Sequence, residues 1–229
     1  MPKYRINKAF IELRYRDSLL FNDMNNLQGI IEELGDVVTN YNFDSVSRAF
    51  ILVNEDRKLN VTILNNRIVI DQDEPTSLEE FKNIANNILR KIIERLSISS
   101  FLRVGMRTYR GIVVNNINEA NTYVRKNYIK INDNDFKLFG EPKNIKVNFS
   151  AIHNDYIVSL AINPHQFNVI EYQDGQLIRN VNESQVLIDT DIFIEKQVES
   201  SKVIDTFISD AINITEENVD KFIGKVNVY

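Results

Sequence analysis

Two short segments with the same alternation set the frame of this chain. In Phe101-Leu-Arg-Val-Gly-Met-Arg-Thr-Tyr-Arg-Gly111, Leu102, Val104, Met106 and Thr108 fall on one side of an extended backbone. Arg103, Gly105, Arg107 and Tyr109 fall on the other. A period of two marks a strand with one face in a core. Phe10-Ile-Glu-Leu-Arg-Tyr-Arg16 has the same pattern, with Ile11, Leu13 and Tyr15 apolar and Glu12, Arg14 and Arg16 charged. Laid side by side, residues 11–16 match residues 104–109, and Arg14 falls on Arg107.

The segments between them give each leading strand a similar sequel. After a strand over 5–16, Asp17-Ser18 is placed to cap a helix carrying Leu20, Met24, Leu27, Ile31 and Leu34, with Gly35 as its C-cap. Short strand-like runs follow at 37–43, 47–55 and 58–64, with a fourth at 67–71. Asn54-Glu55-Asp56 and Asn65-Asn66 read as hairpin turns, because Asn tolerates the left-handed region. A helix over 77–97 opens on the capping-box pattern Ser77-Leu-Glu-Glu80. Its stripe of Phe81, Ile84, Ala85, Ile88, Leu89, Ile92, Ile93 and Leu96 suits a sheet face, each buried Leu or Ile contributing roughly 1.5–3 kcal/mol.

The order then recurs. A strand over 101–114 precedes a helix over 118–130 and a polar connection through Gly140 and Pro142. Strands are expected at 145–152, 155–162, 167–173 and 185–195, with turns at Asn154-Asp155 and Asp174-Gly175. Helices over 200–212 and 216–223 follow. The predicted class is α+β: two similar β-α-β-β-β-α halves forming antiparallel sheet with helices on one face. The first lobe spans 1–98 and the second 99–229. No Gly/Ser-rich or Pro-rich linker divides them, so one continuous two-lobed domain is expected.

Composition removes much chemistry. The chain has no Cys, so thiolate catalysis, disulfides and Cys-ligated zinc are excluded. A net charge of -5 gives no general attraction to nucleic acid, so no nucleic-acid partner is expected. No apolar run is long enough to span a bilayer, and the N-terminal residues lack an apolar signal core. A cytoplasmic protein with no membrane partner is expected.

Neither the P-loop nor the Rossmann fingerprint is present, and seven glycines leave little scope for phosphate-cradling loops. His153 at a turn and His165 after Pro164 have no evident nucleophile or orienting carboxylate, and read as structural. Asp71-Gln-Asp-Glu74 reads as a solvated acidic run ahead of a helix rather than a magnesium or calcium site. No catalytic residue, metal or cofactor is assigned.

The arginines are the remaining candidates. If the two leading strands are neighbours, Glu12, Arg14, Arg16, Arg103 and Arg107 converge on one surface. Arg suits bidentate recognition of phosphate or carboxylate, so these residues form a candidate anion-binding set. The competing expectation is internal ion pairing. Asp189, Asp191 and Glu195 alternate with apolar residues in the strand at 185–195 and are the obvious partners.

Three motifs resemble a sporadically distributed bacterial family of conserved proteins of unknown function. They are Phe10-Ile-Glu-Leu-Arg14, the central strand Arg103-Val-Gly-Met-Arg-Thr-Tyr-Arg110, and the stretch from Phe207 through Ile214-Thr215 to Phe222. Thr108 stands where the family pattern has Tyr, and Arg110 where it has Asn. The resemblance implies a bacterial or phage setting and an α+β fold, and it implies no reaction.

The leading functional expectation is a non-enzymatic binding protein, with a protein partner or a second copy of itself, in a defence or conflict operon. The alternative is a phosphate- or nucleotide-binding protein or enzyme with an arginine-lined barrel or groove. Such a barrel is similar to the triphosphate tunnel enzymes, whose alternate glutamates are matched here by Glu12 alone.

Overall fold

The computed structural model describes residues 4–131, 140, 144–173 and 176–225. Pro142 and the Asp174-Gly175 turn lie outside them. Strand β1 (Arg5–Arg14) buries Ala9, Ile11 and Leu13 and turns the intervening side chains to the opposite face. A 3-10 turn (Leu19–Asn22) leads into α1 (Met24–Leu34). The helix starts later than Asp17-Ser18 implies, because that turn intervenes. Its cap is Asp23, whose carboxylate accepts from the Asn25 N–H at 2.9 Å. Gly35 has a right-handed φ of -53° and is not the left-handed cap its identity predicts.

A meander follows: β2 (Asn40–Asp44), β3 (Ala49–Asn54), β4 (Leu59–Leu64) and β5 (Arg67–Asp73). The first half thus has four meander strands, the fourth where the run at 67–71 places it, one more than the β-α-β-β-β-α pattern counts. The asparagines at its turns do not take the left-handed role expected of them. Between β3 and β4 that residue is Lys58 (φ 50°), and neither Asn65 nor Asn66 has positive φ. Helix α2 (Leu78–Arg95) forms as its sequence requires. Ser77 Oγ accepts from the Glu80 N–H at 3.1 Å, and Leu78, Phe81, Ile84, Ala85, Ile88, Leu89 and Ile92 are buried.

The second half opens with β6 (Ser100–Phe101) and β7 (Arg103–Val114). Helix α3 (Ile117–Tyr128) is capped by Asn116, which accepts from the Glu119 N–H at 3.0 Å. Three strands follow: β8 (Val147–His153), β9 (Tyr156–Gln173) and β10 (Gln176–Ile194). The runs expected at 155–162 and 167–173 are one strand, β9. Pro164 lies within it, opposite Val186 of β10 and beyond the last β8 pair at Ile162, where the other side of β9 is an edge that tolerates proline. A short β11 (Val198–Glu199) pairs with β6 in a separate two-stranded sheet.

The two helices expected beyond residue 200 are one continuous helix, residues 200–225, with π-wound stretches at Val203–Phe207 and Ile214–Val219. Ala211, Thr215, Val219 and Ile223 recur every fourth residue and are all buried. That spacing drifts around an α-helix, and the extra residue in each π turn returns the stripe to the sheet.

The main sheet has nine strands in the order β2-β3-β4-β5-β1-β7-β10-β9-β8, and every pairing is antiparallel. In each half the first strand lies beside the last strand of its own meander. The halves join where β1 pairs with β7, with Ile11 opposite Met106. Among the described residues the sheet is open, with β2 and β8 at its edges, and closes into no barrel. The helices all pack on one face. One apolar cluster joins α1, α2 and the C-terminal helix to Ile11, Val61, Val104 and Ile192, and a second joins α3 to Leu160, Ile162, Val186 and Ile188. Among the described residues no helix covers the other face.

Candidate functional site

The uncovered face carries the arginines, and the register of the central strands fixes what each can touch. Arg14 lies opposite Arg103, and Glu12 opposite Gly105. On the other side of β7, Gly105 faces Phe193 and Arg107 faces Asp191. Side chains therefore meet along diagonals. Arg107 forks onto Asp189, with Nε to Oδ1 at 2.7 Å and Nη2 to Oδ2 at 2.6 Å. Arg103 donates to Glu12 at 3.2 Å, lies 3.8 Å from Asp191 and 4.0 Å from Glu195, and sits 4.8 Å above the Phe193 ring. Gly105 permits that crossing, since a Cβ there would stand 3.0 Å from Arg103 Nη1 and 3.4 Å from Phe193 Cβ.

Glu12 is the hub. It receives Arg14 at 2.7 Å and Arg67 at 3.6 Å as well as Arg103. Farther along the face Lys8 bridges Asp71 at 2.6 Å and Asp73 at 3.1 Å, while Glu74 pairs with Arg5 and Lys58. The acidic run at 71–74 is thus neutralised by lysine and arginine. Arg16 lies beyond the end of β1, is exposed, and stands apart from the cluster. Glu12, Arg14, Arg103 and Arg107 are brought together, and Arg67 joins them without having been singled out in the sequence.

Beside Arg107 the face dips into a concavity of about 470 Å³ lined by Arg107, Asn148, Ser150, Ser159, Asp189 and Asp191, among others. Its groups are not equivalent. The bonded Asp189 carboxylate holds the Arg107 guanidinium even more firmly charged than usual. Burial pushes the Asp191 carboxyl above its ordinary range, and the nearby Arg103 and Arg107 offset this only in part. Burial, with Asp189 nearby, also raises the Tyr109 phenol. Neither histidine lines the concavity. His153 ends β8 in solvent, and His165 packs edge-on against Phe167 at 4.2 Å. Among the described residues no three His, Asp or Glu side chains are grouped to hold a metal ion.

These environments predict opposite outcomes for adjacent carboxylates. A carboxyl with a raised folded pKa costs stability where it is charged, and that cost is relieved as pH falls and the folded state takes up its proton first. Asp191→Asn should therefore hold or raise the urea midpoint at pH 7, with any gain fading toward about pH 4. Asp189→Asn should lower stability by on the order of 1 kcal/mol at pH 7, since it removes a bidentate partner from a partly exposed arginine. Urea titrations at several pH values would check both. A loss at pH 7 for Asp191→Asn would overturn the assignment.

A second polar group was not expected at all. Arg110 follows Val104, Met106 and Thr108 on the core side of β7 and is only 3% exposed. It donates to Asp220 Oδ1 at 2.7 Å and to the Thr215 carbonyl at 3.3 Å, and lies 5.1 Å from the Tyr4 ring centroid. Burial raises the Asp220 and Glu216 carboxyls and, helped by Asp220, pushes the Tyr4 phenol up to about 12. Next to it Thr108 and Thr190 face each other across β7 and β10, both buried and with no partner for either hydroxyl among the described residues. The signal was in the sequence: a charged residue at an apolar position of a period-two pattern must find a buried partner.

Comparison with protein-family models and with curated proteins finds no match to this sequence. Among the described residues no helix is long and apolar enough to cross a membrane.

Proposed function

We propose that this chain is a non-catalytic binding protein that engages a protein partner through the uncovered face of its sheet. One observation supports this above the others. The guanidinium groups of Arg14, Arg103 and Arg107 already meet carboxylates of the same face. What they present is a broad surface of alternating sign, interleaved with Phe10, Tyr109 and Phe193, rather than a convergent cationic clamp. Alternating charge favours orientation and partner choice, and the aromatic side chains supply apolar contact area.

The test is capture with the full chain as bait from cells of the source organism, followed by reconstitution with the recovered protein. A stoichiometric complex is expected that weakens at least tenfold for Tyr109→Asp and Phe193→Asp, with both variants folded by circular dichroism. Repeated recovery of the bait alone, or full retention by both variants, would exclude the reading.

The concavity beside Arg107 favours a second reading, a small anion that displaces Asp189. Nucleotides and polyphosphates at a hundred times their dissociation constant should then stabilise the chain by about 2.7 kcal/mol. An unchanged melting temperature rejects it.

A further inference from the structure

The edge strand β8 is built unlike the opposite edge. Sheet edges present unpaired N–H and C=O groups, and proteins blunt them with charges or proline. Strand β2 carries Asp44 within its span, hydrogen-bonded to the Val46 N–H at 2.9 Å. Strand β8, Val-Asn-Phe-Ser-Ala-Ile-His, contains no Lys, Arg, Asp, Glu or Pro. Apolar side chains gather along it. Ile152 is 82% exposed, Phe149 39% and Phe222 of the C-terminal helix 38%. Phe149 and Phe222 meet edge to face at 5.4 Å, beside a groove of about 200 Å³ lined by Phe149, Ala151, His153, Val219 and Phe222, among others.

We propose that β8 pairs antiparallel with β8 of a second copy of this chain about a two-fold axis at Ser150. A register that keeps both helix layers on the same face must pair residues of like facing. Centring on Ser150 is the choice that pairs the whole of β8. It sets Phe149 opposite Ala151 of the second copy, bringing the two Phe149–Phe222 pairs together over the groove. It sets Asn148 opposite Ile152, covering the most exposed apolar side chain of the strand. Charge completes the match. Lys146, just before the strand, comes to the Asn154-Asp155 turn of the second copy, where the exposed Asp155 carboxylate, bridged to Lys196 at 2.8 Å, has a second oxygen to offer. A symmetric pair needs the same patch to complement itself, and this one does. Asn148 and Ser150 also line the concavity beside Arg107. Pairing therefore joins the two concavities into one trough across the axis.

This inference goes beyond docking on the uncovered face, and either can fail without the other. Sedimentation equilibrium reads it directly. The wild-type chain is expected at twice its 26.6 kDa mass at tens of micromolar. Ser150→Lys places two ammonium groups directly opposite each other, and like charges so placed repel. It should sediment at the single-chain mass, as should Ser150→Glu, each with melting unchanged within a few degrees. Mixing the two variants should restore the doubled mass, an outcome that neither misfolding nor binding of an unrelated peptide reproduces. Single-chain mass for the wild type, doubled mass for either variant alone, or failure of the mixture to pair would overturn the proposal.

Discussion

Asp220→Ala is expected to lower the free energy of unfolding by about 3–5 kcal/mol, because it strips the counter-charge from an arginine held in the core. Arg110 is 3% exposed, and its other contacts are the Thr215 carbonyl and the Tyr4 ring. The Glu216 carboxylate also feels its charge, without the direct bond that Asp220 makes. The π-wound stretch Ile214–Val219 lies immediately before Asp220, and it presents the Thr215 carbonyl to Arg110. The double replacement Arg110→Met with Asp220→Leu removes both charges and should recover most of the loss, since apolar side chains of similar volume often replace a buried pair at little cost. Urea unfolding of the three chains gives the comparison. A loss below about 1 kcal/mol for Asp220→Ala would mean that water reaches Arg110 and that the pair is not a closed interior contact.

Phe101→Ala is expected to cost about 3–5 kcal/mol, through lost transfer free energy and the cavity left behind. Phe101 is fully buried. It meets Tyr15 edge to face at 6.2 Å and 85°, and Val198 lies opposite it in the small sheet. Tyr15 belongs to the first half and Val198 to the end of the second, so Phe101 fills space that no single half encloses. The midpoint of urea unfolding should fall with its slope unchanged. A loss under about 1.5 kcal/mol would show that the neighbours collapse into the space, and that the packing between the halves is looser than described.

The parts of this fold that were legible in the sequence are those with local causes. Helix α2 announces itself through Ser77, Glu80 and an unbroken apolar stripe, and it forms within two residues of the predicted ends. Strands β1 and β7 are legible because one face of each is buried, so a slip of one residue would expose the whole apolar set. The same alternation anticipated the pairing partners Asp189, Asp191 and Glu195. What stayed hidden depends on distant residues. Arg67 reaches Glu12 only because β5 lies beside β1. Arg110 read as a departure from a motif, since Tyr4 and Asp220 lie far from it in the chain. The continuous C-terminal helix was missed because Ile214-Thr215 looks like a break, whereas a π turn absorbs the irregularity without ending the helix. Pro164 misled in the same way: it sits inside a single strand, opposite Val186 of β10 and beyond the last β8 pair.

The place of β1 has a kinetic meaning. The earliest strand in the chain lies at the middle of the sheet, with Ile11 facing Ile70 on one side and Met106 on the other. Neither edge of β1 can be satisfied until distant segments arrive, and the loops to be closed grow longer in turn. Contacts of such sequence separation slow folding. They also bind the two halves into one event: the strand that begins the first half is finished only by the strand that begins the second.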